Sequence, residues 1–253
     1  MLNRIVAGLF LGFLGLTSAI FFMVALVIWA LTVLVDRRLI ILHLFTSFWA
    51  SFYLWVMPAW SVHVDGLRQV AWKRNYVIVS NHQSQLDILV AFRLFIPFKW
   101  VSKAEVFKLP FIGWNMYLNR YIKLKRGDKD GTVRMFADCE KSLSLGNSIF
   151  IFPEGTRSKT GELKPFKPGA FILAKKMDLP ILPVVISGTN AALPKHSLNF
   201  HGRQHMRIRM LEPIPAEQVA SLSVEDLTEM VRTLVARQLE EMTPACAPIG
   251  AGR

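Results

Sequence analysis

Residues 76–87 read "YVIVSNHQSQLD". Tyr76 to Ser80, "YVIVS", form a short, β-rich apolar run. A helix-like stretch, 85–95, follows at once. A strand that turns directly into a helix is the repeating unit of α/β folds. The turn carries His82 and, five positions on, Asp87. Loops at strand ends hold the sites of such folds. Histidine titrates near neutrality and can take a proton from a hydroxyl, and Asp87 could hold the other ring nitrogen and fix the tautomer. On these two residues alone, a histidine capping the helix beside a solvated aspartate reads at least as well.

Working outward, the same alternation continues. β-rich runs lie at 62–64, 121–125, 148–152, 181–187 and 206–211, and helix-like stretches at 131–144, 169–178 and 223–243. In the last stretch Ser223 and Asp226 form a capping pair, and Val224, Leu227, Val231, Leu234 and Val235 repeat at helical spacing. The pattern predicts an α/β domain over 63–253 with a mixed, mostly parallel sheet flanked by helices. The tail "TPACAPIGAGR" (243–253) reads as a loose end.

Residues 1–62 differ in character. From Ile5 to Val35 no residue is charged, a run of 31 that exceeds the length needed to cross a hydrocarbon core of about 30 Å. A secretory signal has a much shorter apolar core and a small-residue cleavage site, which is not found here. The stretch 39–60 is crowded with Phe45, Phe48, Trp49, Phe52, Tyr53, Trp55 and Trp60, a density that favours the headgroup region. The link "DRR" (36–38) carries two arginines and belongs on the cytoplasmic side. The expected arrangement is one spanning or deeply inserted helix followed by an interfacial helix, with insertion of both helices into one leaflet as the alternative.

Charge supports a membrane surface. The chain has a formal net charge of +12, of which residues 1–62 carry only +2, and 52% of its residues are hydrophobic. A chain both greasy and basic suits anionic lipid, and nothing in it matches a nucleic-acid recognition motif. The two cysteines, Cys139 and Cys246, show neither pairing nor metal-ligand spacing, which fits a reducing compartment without a disulfide framework.

Two further features bear on chemistry. "FPEGTRS" (152–158) follows a predicted strand, and its Pro153 and Gly155 force a turn that presents Glu154 and Arg157. An arginine there can clamp a phosphate, although an internal ion pair at a surface turn accounts for the same letters. Residues 99–134 hold nine Lys or Arg, against only Glu105, Asp128 and Asp130. Anionic headgroups or a plainly solvated face both explain them. No G-x-S-x-G elbow, phosphate-binding loop or H-E-x-x-H motif is found, and a lone His and Asp are too few for a metal site. A directly attacking substrate hydroxyl therefore fits better than an acyl-enzyme.

Taken together, "NHQSQLD", the arginine closing "YIKLKR", "FPEGTRS" and "LPILPVVISG" stand in an order and spacing that resembles the H-x4-D glycerolipid acyltransferases. The "NHQS" form, "SKAEVFKLPFIG" and "FKPGAFILAKK" look most like the 1-acyl-glycerol-3-phosphate acyltransferases. The resemblance covers roughly residues 62–215. It implies acyl transfer from acyl-CoA or acyl carrier protein, as co-substrate with no other cofactor and no metal, to the sn-2 hydroxyl of lysophosphatidic acid, giving phosphatidic acid. It implies His82 as general base and Asp87 as its orienter. Glu154 and Gly155 then lie at the acceptor site, and Lys103, Arg126 and Arg157 meet the phosphate. Pro183 falls in the fourth motif, in a structural or acyl-lining role. The second motif often ends in an acidic residue before the arginine, whereas Lys125 stands there in this chain. Backbone N–H groups near His82 or Gly155 are the candidates for holding an oxyanion. The implied location is a bacterial inner membrane, with the catalytic domain on its cytoplasmic face. Another lysolipid acceptor, such as a lyso-ornithine lipid, and a non-catalytic lipid-binding role are the alternatives.

Overall fold

The computed structural model describes residues 2–71, 73–158, 162–193 and 203–242. Two helices come first, α1 (Leu2–Thr32) and α2 (Ile40–Trp55). The link between them turns sharply through Leu39, at φ 54°, and Asp36 Oδ2 accepts the Ile41 N–H at 2.8 Å at the start of α2. The turn sends α2 back along α1, and the contacts run the length of the pair. Phe13 meets Phe52 (ring centroids 6.2 Å apart), Ser18 Oγ lies 3.0 Å from the Tyr53 hydroxyl, and Phe21 packs on Trp49 at 5.7 Å. At the far end Ala25 is buried with Leu39 and Leu42.

Among the described residues seven strands form one sheet: β1 (Trp60–Asp65), β2 (Val77–Ser80), β3 (Phe98–Lys103), β4 (Ile122–Leu124), β5 (Ser148–Ile151), β6 (Ile181–Ser187) and β7 (Gln204–Met210). Their order is β1-β7-β6-β2-β5-β3-β4. Pairing is parallel throughout except between β6 and β7. The sheet is thus mixed and mostly parallel, as expected. Helices α3 (Leu86–Phe92), α4 (Ile112–Leu118), α5 (Lys129–Ser144), α6 (Gly169–Lys176), α7 (Thr189–Ala192), α8 (Ala216–Ser221) and α9 (Val224–Met242) complete the fold.

The strand period of two divides the core. Ile78, Phe150, Leu182 and Val184 face one way and pack with α3 and with Ala50 and Leu54 of α2. Val77, Val79, Ile149 and Val185 face the other way, against α5, α6 and α9. Ala50 and Leu54 thus share the core of the sheet, and the aromatics of 39–60 divide between two environments. Trp49 and Tyr53 are buried, while Phe48 and Trp55 stay exposed. The Ser223–Asp226 cap is made in both directions, at 2.7 and 3.0 Å. The tail 243–253 lies outside the described residues.

Strand β3 and helix α4 depart from the sequence reading. "FKWVSK" (98–103) overlaps the start of the basic segment 99–134, yet it is an internal strand between β5 and β4. Phe98 and Trp100 anchor it in the core, and Lys99 is 3% exposed, so a solvated face does not account for this cation. Packing on both faces outweighs the low β-propensity of lysine. Helix α4 starts after Phe111, whose φ of 60° belongs to the turn that Pro110 begins.

Candidate active site

The site lies at the carboxyl ends of the strands. The side chain of Asn81, just past β2, bonds the neighbouring strand twice: Nδ2 donates to the Ile186 carbonyl at 2.8 Å and Oδ1 accepts the Ile186 N–H at 2.9 Å. It extends the β2–β6 ladder by one residue and fixes where His82 leaves the sheet.

His82 Nδ1 lies 2.8 Å from Asp87 Oδ2. The same oxygen accepts the N–H groups of Gln83 at 2.6 Å and Ser84 at 2.8 Å, and Oδ1 accepts the Thr189 hydroxyl at 2.5 Å. Asp87 is fully buried, so these four donors replace its water shell. Because the surrounding groups only donate to it, Asp87 is an acceptor for Nδ1–H, which leaves Nε2 as the basic nitrogen. The ring stacks on Phe152 at 4.1 Å and 13°, and Phe152 stacks on Trp100 at 5.4 Å. The imidazole is therefore held both in its plane and about its axis.

The "FPEGTRS" turn follows β5 and is tied to the histidine through main chain. Glu154 Oε1 accepts the His82 N–H at 2.6 Å and Oε2 accepts the Lys164 N–H at 3.2 Å, while the His82 carbonyl accepts the Ser158 N–H at 3.0 Å. Burial pushes the Glu154 carboxyl up to about 7, against the pull of those two N–H groups. Lys164 Nζ closes the turn by donating to the Thr156 hydroxyl at 3.1 Å and the Arg157 carbonyl at 2.9 Å. Gly155 sits at φ 69°, a conformation that glycine adopts without strain.

A cavity of about 480 Å³ opens in front of His82. Lys103, Arg126, Gly155 and Arg157 line it with the histidine, whereas Asp87 and Glu154 lie behind the ring and are buried. Leu89, Trp100, Ile112 and Met116 carry the lining onward as an apolar channel that reaches Trp49 and Tyr53 of α2 and Leu14 of α1. The cavity thus joins a cluster of cations to a mainly apolar lining, in which Thr46, Asn115 and Tyr121 are also found. Arg120 stays outside it, exposed at φ 54°, with Nη1 3.5 Å from the Arg37 carbonyl.

The backbone groups considered for an oxyanion are already engaged. The N–H of His82 donates to Glu154, those of Gln83 and Ser84 to Asp87, and that of Gly155 to the Phe152 carbonyl at 3.0 Å. Pro183 lies inside β6, opposite Val79, away from the cavity. Cys139 is buried in α5, and burial pushes its thiol up to about 12, which suits packing and not attack. Among the described residues no cluster of three His, Cys, Asp or Glu forms a metal site. Sequence reasoning missed Thr189, Phe152, Trp100 and Asn81. Only Asn81 and Phe152 carried a local signal, as neighbours of the two motifs.

These features define a class of α/β proteins in which a strand end presents a carboxylate-held histidine to an amphipathic cavity. The chain belongs to the Acyltransferase family, whose model matches residues 61–187. It is 34% identical to the chloroplast 1-acyl-sn-glycerol-3-phosphate acyltransferase LPAT1 of Arabidopsis thaliana, over 76% of this chain and 54% of that protein. It is 35% identical to the 1-acyl-sn-glycerol-3-phosphate acyltransferase of Saccharomyces cerevisiae, over 74% and 62%, and 32% identical to that of Helicobacter pylori, over 66% and 70%. The chain thus spans little more than half the length of the plant and yeast relatives. The fold is that of the crystal structure of the 1-acyl-sn-glycerophosphate acyltransferase PlsC from Thermotoga maritima, with a TM-score of 0.70 and 23% identity over 91% of this chain and 96% of that one.

Proposed function

We propose that this chain moves an acyl group from a thioester, acyl-CoA or acyl carrier protein, to the sn-2 hydroxyl of 1-acyl-glycerol-3-phosphate, yielding phosphatidic acid. The observation that carries the reading is the single cavity that holds His82, three cations and an apolar channel. An anionic headgroup fits the charged end, and a hydrocarbon chain fits the channel.

In this reading Nε2 of His82 takes the hydroxyl proton as the acceptor oxygen attacks the thioester carbonyl. Asp87 stabilises the imidazolium that results. Collapse of the tetrahedral intermediate breaks the C–S bond, and the leaving thiolate takes the proton back from Nε2. Lys103, Arg126 and Arg157 bind the phosphate through charge-assisted hydrogen bonds. Glu154 acts indirectly, by fixing the main chain of His82 and the turn at Gly155.

The N-terminal helices supply the approach from lipid. Gly12–Thr32 is long and apolar enough to cross a membrane, at 21 residues and a mean hydropathy of 2.4. Yet α1 touches α2 or α4 from Phe13, near the cavity, to Trp29, on the order of 25 Å along its axis. A perpendicular span would draw α4, with its buried Asn115, toward the hydrocarbon, at high cost. We infer that both helices lie along one leaflet on the cytoplasmic side. Leu16, Ile20, Met23, Val27 and Leu31 then meet lipid, and substrate slides from the leaflet into the channel.

The test is a panel of lysolipids given to purified protein with one labelled acyl thioester. Lysophosphatidate should be the preferred acceptor. Equal or better use of an acceptor without a phosphomonoester would overturn the assignment.

A further inference from the structure

A second group of cations sits at the opposite end of the sheet from His82. Lys99 is the second residue of β3, Arg120 stands just before β4, and Arg38 comes from the α1–α2 link. The guanidinium of Arg38 lies over the turn between α5 and β5, where a Cβ on Gly146 would be 3.8 Å from it. Lys99 Nζ and Arg38 Nε are both buried, and among the described residues neither has a hydrogen-bond partner. Burial pushes the Lys99 amine down to about 7; Asp36 opposes that shift, and Arg120 and Arg38 add to it.

Among the described residues no group meets this need. Among the described residues Asp36 is the one carboxylate that acts on Lys99, and its Oδ2 already accepts the Ile41 N–H. His43, the polar neighbour on α2, has both ring nitrogens engaged, Nδ1 with the Tyr121 hydroxyl at 2.9 Å and Nε2 with the Ile96 carbonyl at 3.0 Å. Three cations face one acid, and two of their donors are buried without an acceptor. Each such donor costs the protein its hydration, and a charged one costs the most. An oxyanion with several acceptor oxygens would satisfy both donors and balance the charge.

We propose that Arg38, Arg120 and Lys99 form a second anion site that takes a phosphate group, either the phosphodiester of an anionic lipid headgroup or free phosphate. The site lies where the helical hairpin turns, so a headgroup bound there would hold the α1–α2 pair against the sheet at the end remote from the cavity. It acts as an anchor point and takes no part in acyl transfer.

Thermal unfolding of the full chain in neutral detergent tests the proposal. Dihexanoyl phosphatidylglycerol, dihexanoyl phosphatidylcholine and inorganic phosphate are titrated separately into wild type, Lys99→Met, Arg38→Gln and, as a control at the other end of the sheet, Arg126→Gln. Wild type and Arg126→Gln should show a saturable rise in Tm with phosphatidylglycerol. Its midpoint should weaken about tenfold or more in Lys99→Met and Arg38→Gln. The same pattern with inorganic phosphate alone identifies free phosphate as the ligand. Without ligand, Lys99→Met should melt no lower than wild type, because it removes a buried unpaired amine. Arg38 is only partly buried, so its variant gives the answer even where Lys99→Met does not fold. Equal midpoints in all four proteins, no rise with any ligand, or weakening confined to Arg126→Gln would overturn the proposal.

Discussion

The hydroxyl of Thr189 donates to Asp87 Oδ1 at 2.5 Å, across 102 positions of sequence, and so links the end of β6 to the histidine turn after β2. Asp87 is thereby aimed at His82 from two sides. Thr189→Val removes the hydroxyl and little volume. It should lower kcat about tenfold with KM nearly unchanged, because the loosened carboxylate orients the imidazole less well. Asp87→Asn should cost more, on the order of 10²- to 10⁴-fold in kcat, because an amide can impose the wrong tautomer. Kinetics for both variants, with Tm as a check on folding, decide the matter; an Asp87→Asn enzyme at wild-type kcat would remove Asp87 from the mechanism.

Glu154 gives a pH dependence with a definite sign. Its folded pKa, about 7, lies above the ordinary value of 4.5, so the folded protein binds this proton more tightly than the unfolded chain does. Its contribution to stability is therefore greatest below about 4.5 and declines as pH rises through about 7. Urea unfolding between pH 5 and pH 8 should show that decline in wild type and a flatter profile in Glu154→Gln. Identical slopes in the two proteins would mean that Glu154 titrates in its ordinary range.

Gly155→Ala tests the turn. At φ 69° a Cβ is strained, and it would stand 3.1 Å from Lys167 Nζ and 3.2 Å from Lys167 Cε. Lys167 is flexible enough to move, so the backbone term dominates, about 1–2 kcal/mol. A modest fall in Tm is expected, with a larger loss of kcat/KM because Gly155 lines the cavity beside His82.

The rim cations should act on binding. Arg126→Ala is expected to raise KM for lysophosphatidate about tenfold or more while leaving kcat within a few-fold. Arg120→Ala, outside the cavity, should change neither. Steady-state kinetics on the pair separate the two arginines; a KM effect confined to Arg120→Ala would reverse their roles.

How much of this was legible in the sequence depends on the range of the interaction. Strand β2, His82 and α3 are contiguous, so apolar run, polar break and helix can be read in order. Strand β3 hides behind Lys99 and Lys103, because a buried lysine inside a strand breaks the apolar pattern that marks strands. The approach of His82 to Asp87 lies within one turn and is suggested by spacing. The Thr189 contact and the Phe152–Trp100 stack arise only when strands distant in sequence become neighbours in the sheet. The burial of Glu154 behind the histidine is of the same kind: the letters "PEG" show a turn, not which way the carboxylate points.

The most direct test of the central claim is turnover by His82→Ala. Purified wild-type and variant chains receive lysophosphatidate and a labelled acyl thioester, and labelled phosphatidate is counted beside lysolipid binding. Wild type should form product, and His82→Ala should form none above background while it binds lysophosphatidate within a few-fold of wild type. Wild-type turnover by His82→Ala would contradict the assignment of His82 as the base.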